Sequence, residues 1–224
     1  MDKMAVEPKT YANTATGYRR LLIWAQIIIT FLFLELTLWA PTRQVRNRWA
    51  VIAFITMLVF VLFDRPSITR LGLGMPKMSG SGFVLGAGLL ASIFLIIVVR
   101  GLGGEIPASP AWFPDLRSVW GYLIWALIQE FILQSFFFNR FEELYGGSTA
   151  VWMASALFAA VHLPNPVLTT ATLIGALFFC KMFHRYRNIY FLGILHAMLG
   201  LTVAIVTPDS LLHHMRVGIG YLRY

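Results

Sequence analysis

The chain of 224 residues is 58% hydrophobic and 12% charged, whereas an ordinary soluble domain has about 25% charged residues. This composition excludes a typical soluble fold. A net charge of +8 would suggest a nucleic-acid partner in a soluble protein, but here the basic residues lie at the ends of apolar runs, where they would meet lipid head groups. We therefore expect the lipid bilayer as a partner and no nucleic acid.

Seven apolar runs predict an all-α, polytopic transmembrane helix bundle. We expect about seven spans, within a range of six to eight, because the runs near Trp49 and Thr149 are shorter than the roughly 20 residues that a crossing helix needs. The first run is longer than the apolar region of a cleaved signal peptide, so we interpret it as a retained helix. The runs are 21–40, 49–63, 82–99, 118–138, 149–163, 167–183 and 189–206.

A connection rich in Gly and Pro at residues 100–117 divides the chain into two parts. Residues 1–117 hold the N-terminal tail and the first three predicted transmembrane helices. Residues 118–224 hold the last four, a C-terminal tail and every pattern that suggests catalysis. With a cytoplasmic N-terminus, the larger share of the basic residues falls on the inner side, so we predict that orientation. The brief loops favour a bacterial inner membrane over the endoplasmic reticulum.

Cys180 is the single cysteine, so the chain has neither an internal disulfide nor a metal site built from cysteines. Its apolar surroundings favour plain packing over reactivity.

Glu130 stands in an apolar run, where an ionisable side chain is expensive to place. Gln134 follows one helical turn later on the same face, so this face is polar in an otherwise apolar helix. The alternative interpretation is a protonated glutamate that forms a hydrogen bond across the bundle.

His162 lies at the end of the next run, where Pro164 and Pro166 are expected to stop the helix. The natural turn between the two helices is at Gly146, and positions 130 and 162 are each 16 residues from it. In an antiparallel hairpin, Glu130 and His162 therefore reach the same depth. A carboxylate and an imidazole at one level can share a proton and activate water between them. Alone, His162 would more often be a helix-end residue with a satisfied hydrogen bond.

His196 is a third polar group within an apolar run, and the small residues Ala197 and Gly200 would let a neighbouring helix or a substrate backbone approach it. It matches the depth of the other two only if its helix begins near His184. The alternative interpretation is a histidine that binds a backbone carbonyl between helices.

Other ionisable residues are assigned more ordinary roles. Glu142 and Glu143 follow Arg140 in a polar turn, so we expect them to be solvated. Glu35 is a candidate for an interhelical hydrogen bond. The pair of histidines at positions 213 and 214 is expected on the surface.

Together these motifs resemble the CPBP family of CAAX proteases and bacteriocin-processing membrane proteins. Residues 129–134 align with the family's Glu-Glu-x-x-x-Arg motif, although two of the three key positions differ. Phe158 and His162 match Phe-x-x-x-His in full. His196 matches the start of His-x-x-x-Asn, but Gly200 stands where Asn is usual. The resemblance covers about residues 118–206.

The resemblance implies a glutamic-type intramembrane protease with Glu130 as the base, His162 as its partner and proton shuttle, and His196 as an oxyanion donor. Gln129, Gln134, Phe158, Asn165 and Gly200 would be supporting residues. Gln129 occupies the first glutamate position of the motif, and a neutral amide cannot act as a general base. Either Glu130 has taken over the chemistry, which we favour, or the protein binds a transmembrane segment without cutting it.

The sequence-based hypothesis is therefore an endopeptidase of the cell membrane that hydrolyses a membrane-associated or C-terminally anchored protein or peptide with activated water. The alternative is a catalytically inactive relative that binds a peptide in an immunity or scaffold role. A transporter that uses Glu35 and Glu130 is the weakest candidate. We predict no cofactor and no metal, although Glu130 and two histidines could instead hold a zinc ion.

Overall fold

The computed structural model describes residues 17–75, 78–102 and 116–223. The structure is 84% helical, and no strand occurs among the described residues, which confirms the all-α prediction. The helices in chain order are α1 Gly17–Leu38, α2 Arg43–Asp64, α3 Met78–Gly101, α4 Leu116–Glu130, a π-helix Phe131–Phe138, α5 Asn139–Tyr145, α6 Gly147–Ala160, α7 Pro166–Tyr186, α8 Ile189–Val206, α9 Asp209–Leu212, a 3₁₀ turn His213–Met215 and α10 Ile219–Leu222.

Six of the described helices are long and apolar enough to cross a membrane. The helices α4 and α5 join through the π-helix into one of these spans, Val119–Tyr145. The helix α6 is apolar but has 14 residues, a length of about 21 Å, so it penetrates only part of a bilayer. The predicted bundle of about seven apolar helices is confirmed, with the run near Thr149 as the partly spanning one.

The run near Trp49 is longer in the structure than its apolar residues suggest. Its helix α2 begins at Arg43, because the Thr42 hydroxyl caps it by accepting a hydrogen bond from the Val45 amide. The first turn therefore carries exposed basic residues that a hydropathy pattern assigns to the preceding loop. With 22 residues, α2 is a full-length span.

The π-helix Phe131–Phe138 forms the centre of the bundle. Every residue from Leu133 to Phe138 is at most 2% exposed. The helices α6 and α7 pack on the π-helix, and the Phe138 ring meets Phe183 of α7 edge to face. Because consecutive residues are all buried, this segment is surrounded by other helices on every side.

Glycines set the spacing of the helices around this centre. A Cβ atom on Gly88 of α3 would lie 2.0 Å from the Leu195 side chain of α8, and one on Gly193 of α8 would lie 2.4 Å from Leu127 of α4. These positions allow the backbones to approach closely, as small residues do in membrane proteins. The turn predicted at residues 146 and 147 is present, with Gly146 at a positive φ of 80°.

The connection that divides the sequence at residues 100–117 lies largely outside the described residues. Both parts nevertheless pack together, since α3 contacts α8 along its length.

One end of the bundle is closed by a network of partly buried ion pairs. Asp64 at the end of α2 accepts hydrogen bonds from Arg19 of α1 at 2.7 Å and from Arg140 of α5 at 2.8 Å. Glu143 of α5 accepts from Arg19 and from Arg70, each at 2.9 Å. The network joins α1, α2 and α5 at a single level, and so fixes their axial register.

The expectation that Glu142 and Glu143 are solvated is wrong. The Glu142 side chain is 2% exposed and contacts His184 and Arg187, and the Glu143 side chain is 19% exposed. The reason is that basic residues from other parts of the chain meet both carboxylates: the end of α7 lies beside Glu142, and Arg19 and Arg70 contact Glu143. Glu35 accepts a hydrogen bond from the Trp39 indole one turn later, and not from another helix as expected.

The network generates a stability prediction. The substitution Asp64→Asn leaves Arg140, whose side chain is 7% exposed, without its carboxylate, and should lower the free energy of unfolding by about 3 kcal/mol. Denaturation of the purified protein in detergent measures this. Glu35→Gln is the control, because the Glu35 carboxylate accepts its hydrogen bond from the neutral Trp39 indole. Equal effects of the two substitutions would contradict a structural role for the network.

Candidate active site

A cavity of about 340 Å³ lies between the helices, toward the end of the bundle opposite the ion-pair network. Most of its wall is apolar, and α1, α4, α6, α7 and α8 all contribute to it. The C-terminal segment closes it with Met215 and Val217. The polar side chains on its wall are those of Thr37, Tyr122, Gln129, His162, Thr172 and His196.

Glu130 is the last residue of α4 and is 0% exposed. Its Oε2 accepts a hydrogen bond from Gln134 Nε2 at 3.1 Å, as the one-turn spacing predicts. Its Oε1 lies 2.8 Å from Nδ1 of His196. Both carboxylate oxygens thus have partners, and Glu130 is not part of the cavity wall.

His196 lies on α8 at the depth of Glu130, although α8 begins at Ile189 and not near His184 as the sequence argument required. The turn between α7 and α8 lies at the level of the ion-pair network, where Arg187 at the end of α7 donates a hydrogen bond to Asn139. Since Glu130 precedes Asn139 by nine residues and His196 follows Ile189 by seven, the two side chains reach nearly the same level.

His162 follows the C-terminal end of α6, which stops at Ala160 as the two prolines predict. Its Nδ1 lies 2.7 Å from the carbonyl oxygen of Phe158. A carbonyl only accepts hydrogen bonds, so Nδ1 carries a proton and Nε2 is the nitrogen available to the cavity. The sequence analysis paired Glu130 with His162, but the carboxylate contacts His196.

Two phenylalanines hold the imidazoles. The Phe158 ring lies 4.9 Å from the His162 ring and 6.1 Å from the His196 ring, centre to centre. Phe179 of α7 stacks on His196 at 5.5 Å with an angle of 26°. Phe158 was proposed as a supporting residue, and it contacts both histidines.

Gln129 and Gln134 have different positions although both belong to one motif. Gln129 lines the cavity with the two histidines, whereas Gln134 is 0% exposed behind it. The first glutamate position of the family motif therefore faces the cavity. In this chain that position is Gln129, which presents an amide. Gly200 also lines the cavity, one turn after His196.

Asn165 is a fully buried structural residue below the site. Its side-chain oxygen caps α7 by accepting from the Leu168 amide at 3.0 Å. Its Nδ2 donates to the carbonyl oxygens of Leu212 and Arg216. Asn165 thereby holds the C-terminal segment, with its two cavity-lining side chains, against the bundle.

Sequence reasoning missed Phe179 and Tyr122. Phe179 lies in a uniformly apolar run, and nothing in the sequence distinguishes it from its neighbours. Tyr122 precedes Gln129 by seven residues, about two helical turns, so both side chains lie on the face of α4 that lines the cavity. That spacing was a usable signal.

Within the described ranges, no group of three or more His, Cys, Asp and Glu side chains could hold a metal ion. Nδ1 of His162 contacts the Phe158 carbonyl, and Nδ1 of His196 contacts Glu130. The prediction of a metal-free reaction stays a prediction.

The fold and the site define a polytopic membrane protein with a buried acid and two histidines at an internal cavity. Residues 111–202 match the family model described as type II CAAX prenyl endopeptidase Rce1-like. This match confirms the resemblance inferred from the motifs and supports a CAAX-type intramembrane protease in general. No curated protein and no solved structure gives a match.

The contacts of Asn165 generate a second prediction. The substitution Asn165→Ala removes a helix cap and two hydrogen bonds to buried carbonyls, and should destabilise the protein by about 2 kcal/mol or more. Thr42→Ala is the matched control, since Thr42 supplies only the cap of α2 and should cost about 1 kcal/mol. Thermal unfolding in detergent compares the two. A smaller effect for Asn165→Ala would show that it does not hold the C-terminal segment.

Proposed function

We propose that the chain is an intramembrane endopeptidase that hydrolyses a peptide bond of a membrane-associated protein or peptide inside the 340 Å³ cavity. The observation that carries the proposal is the placement of two imidazoles on the wall of one apolar cavity, one of them bonded to a fully buried carboxylate. Ionisable side chains that gather at a pocket within an apolar bundle are typical of a functional site.

His162 is the general base of this proposal. The Phe158 carbonyl fixes the tautomer of the neutral ring with the proton on Nδ1, so the lone pair is on Nε2. Nε2 accepts a proton from water as the water oxygen attacks the substrate carbonyl carbon. The same nitrogen then gives this proton to the leaving amine, and the products are a carboxylic acid and an amine.

His196 is the electrophilic partner. Its Nδ1–H donates to Glu130 Oε1 at 2.8 Å, and our proposal takes the ring in its imidazolium form, paired with this carboxylate. Nε2–H then donates to the substrate carbonyl oxygen, where negative charge develops. The Gln129 amide on the same wall is a further donor.

Glu130 acts through His196 in this scheme and is a positioning residue. The sequence analysis gave Glu130 the role of base. Our proposal moves that role to His162, because a carboxylate that is 0% exposed and outside the cavity wall does not reach a water in the cavity. The roles proposed for His162 as proton shuttle and for His196 as oxyanion donor are kept.

The test is cleavage of C-terminally tagged membrane proteins from the same cell, co-expressed with each variant. We expect His162→Ala to lower the cleavage rate about 10²- to 10⁴-fold, as the loss of a general base does. Glu130→Gln should also lower it, because the neutral amide carries no charge to pair with the His196 imidazolium. Glu35→Gln should leave the rate unchanged, since Glu35 lies outside the cavity wall. Membrane abundance of every variant separates chemistry from stability.

Two additions distinguish the mechanisms. Imidazole in the buffer should partly restore His162→Ala, whose cavity has room for it, and should not restore Glu130→Gln. A chelator should leave wild-type cleavage intact, and complete inhibition would support the zinc alternative. If the wild type cuts no candidate but captures one of them, the peptide-binding alternative replaces the protease, and Gln129 in place of a cavity-facing glutamate gives its physical reason.

A further inference from the structure

Gly200 has an unusual neighbour for a position on the cavity wall. It follows His196 by one helical turn, and both residues line the cavity. A Cβ atom on Gly200 would lie 2.1 Å from the hydroxyl oxygen of Tyr122 and 2.9 Å from its Cζ. All three of the nearest atoms belong to Tyr122, so the phenol of α4 fills the space that a side chain at position 200 would need.

Tyr122 also lines the cavity. Its hydroxyl therefore lies against α8, one turn beyond His196, in the space assigned to the substrate. A phenol is a hydrogen-bond donor as well as an acceptor, and it is held here at the tip of a rigid ring with two side-chain torsions. A donor fixed at this place is pre-organised toward a group bound beside His196.

We propose that the Tyr122 hydroxyl donates a hydrogen bond to the substrate carbonyl oxygen and so replaces the side-chain amide that position 200 lacks. This inference rests on the proposed function and adds a residue to it. The exchange is a paired one, in which the absence of a side chain at Gly200 makes room for the hydroxyl from the facing helix. Tyr122 therefore requires a glycine at position 200. The site keeps a hydrogen-bond donor although position 200 has no amide side chain.

The first experiment is Tyr122→Phe, which removes one oxygen atom and keeps the ring. The kcat for a cleaved membrane protein should fall about 10²- to 10³-fold, as for loss of one oxyanion donor, with KM little changed because the bond is strongest in the transition state. Tyr190→Phe is the matched control, since Tyr190 is 41% exposed and bonds the Leu73 carbonyl outside the cavity. A kcat for Tyr122→Phe equal to that of the control overturns the proposal.

Two further variants test the geometry. Gly200→Ala adds a single methyl that pushes the Tyr122 hydroxyl away, and should lower kcat as Tyr122→Phe does; the unfolding midpoint of each variant is measured beside it to separate a loss of stability from the loss of the donor. The double variant Tyr122→Ala with Gly200→Asn opens the space and supplies an amide from α8. It should recover at least tenfold over Tyr122→Ala alone, and no recovery would count against donation from this place.

The outcomes separate the two proposals. Wild-type cleavage with an unaffected Tyr122→Phe variant rejects the donor and keeps the protease. A wild type that cleaves no candidate rejects the protease, and the donor with it.

Discussion

The hydrogen bond between Glu130 and His196 ties α4 to α8 at the middle of the bundle. A carboxylate in an apolar interior is costly unless its oxygens are satisfied, and here one oxygen has the histidine and the other has Gln134. For this contact to form, the two helices must approach closely. Gly193 accommodates Leu127, and at Gly200 the ring of Tyr122 packs directly on the backbone. The hydrogen bond between Glu130 and His196 therefore depends on the glycines that let α4 and α8 approach.

The two ends of the bundle differ because the charges are distributed unevenly along the helices. Asp64, Arg19 and Arg140 hold three helices together at one end, where buried pairs fix the register more than they add stability. The opposite end has a wall of apolar side chains, the partly spanning α6 and the C-terminal segment held by Asn165. Because the short helix α6 ends inside the bundle, His162, which follows its last residue, lies at the depth of the cavity.

Hydropathy was sufficient to predict the helical architecture, since the runs are long and the gaps between them polar. The family motifs were sufficient to predict which residues gather, and the Gly146 turn explains why α6 returns beside α4. The partner of Glu130 could not be predicted, because the level that His196 reaches depends on where the α7–α8 turn lies along the bundle. In the structure, Arg187 places that turn beside Asn139. Nor did the sequence reveal that Glu142 is buried, since its partners come from α7 across the bundle.

The most direct test of the account asks whether the cavity holds the peptide bond that is cut. A photo-reactive phenylalanine analogue is placed at Leu157, on the cavity wall, or at Trp152, which is 66% exposed on the same helix α6, in a His162→Ala background. After illumination with a cleavable membrane protein, mass spectrometry locates the cross-links. The account predicts that position 157 labels residues flanking the cleavage site and that position 152 does not. Labelling of those residues from position 152, or none from position 157, would contradict it.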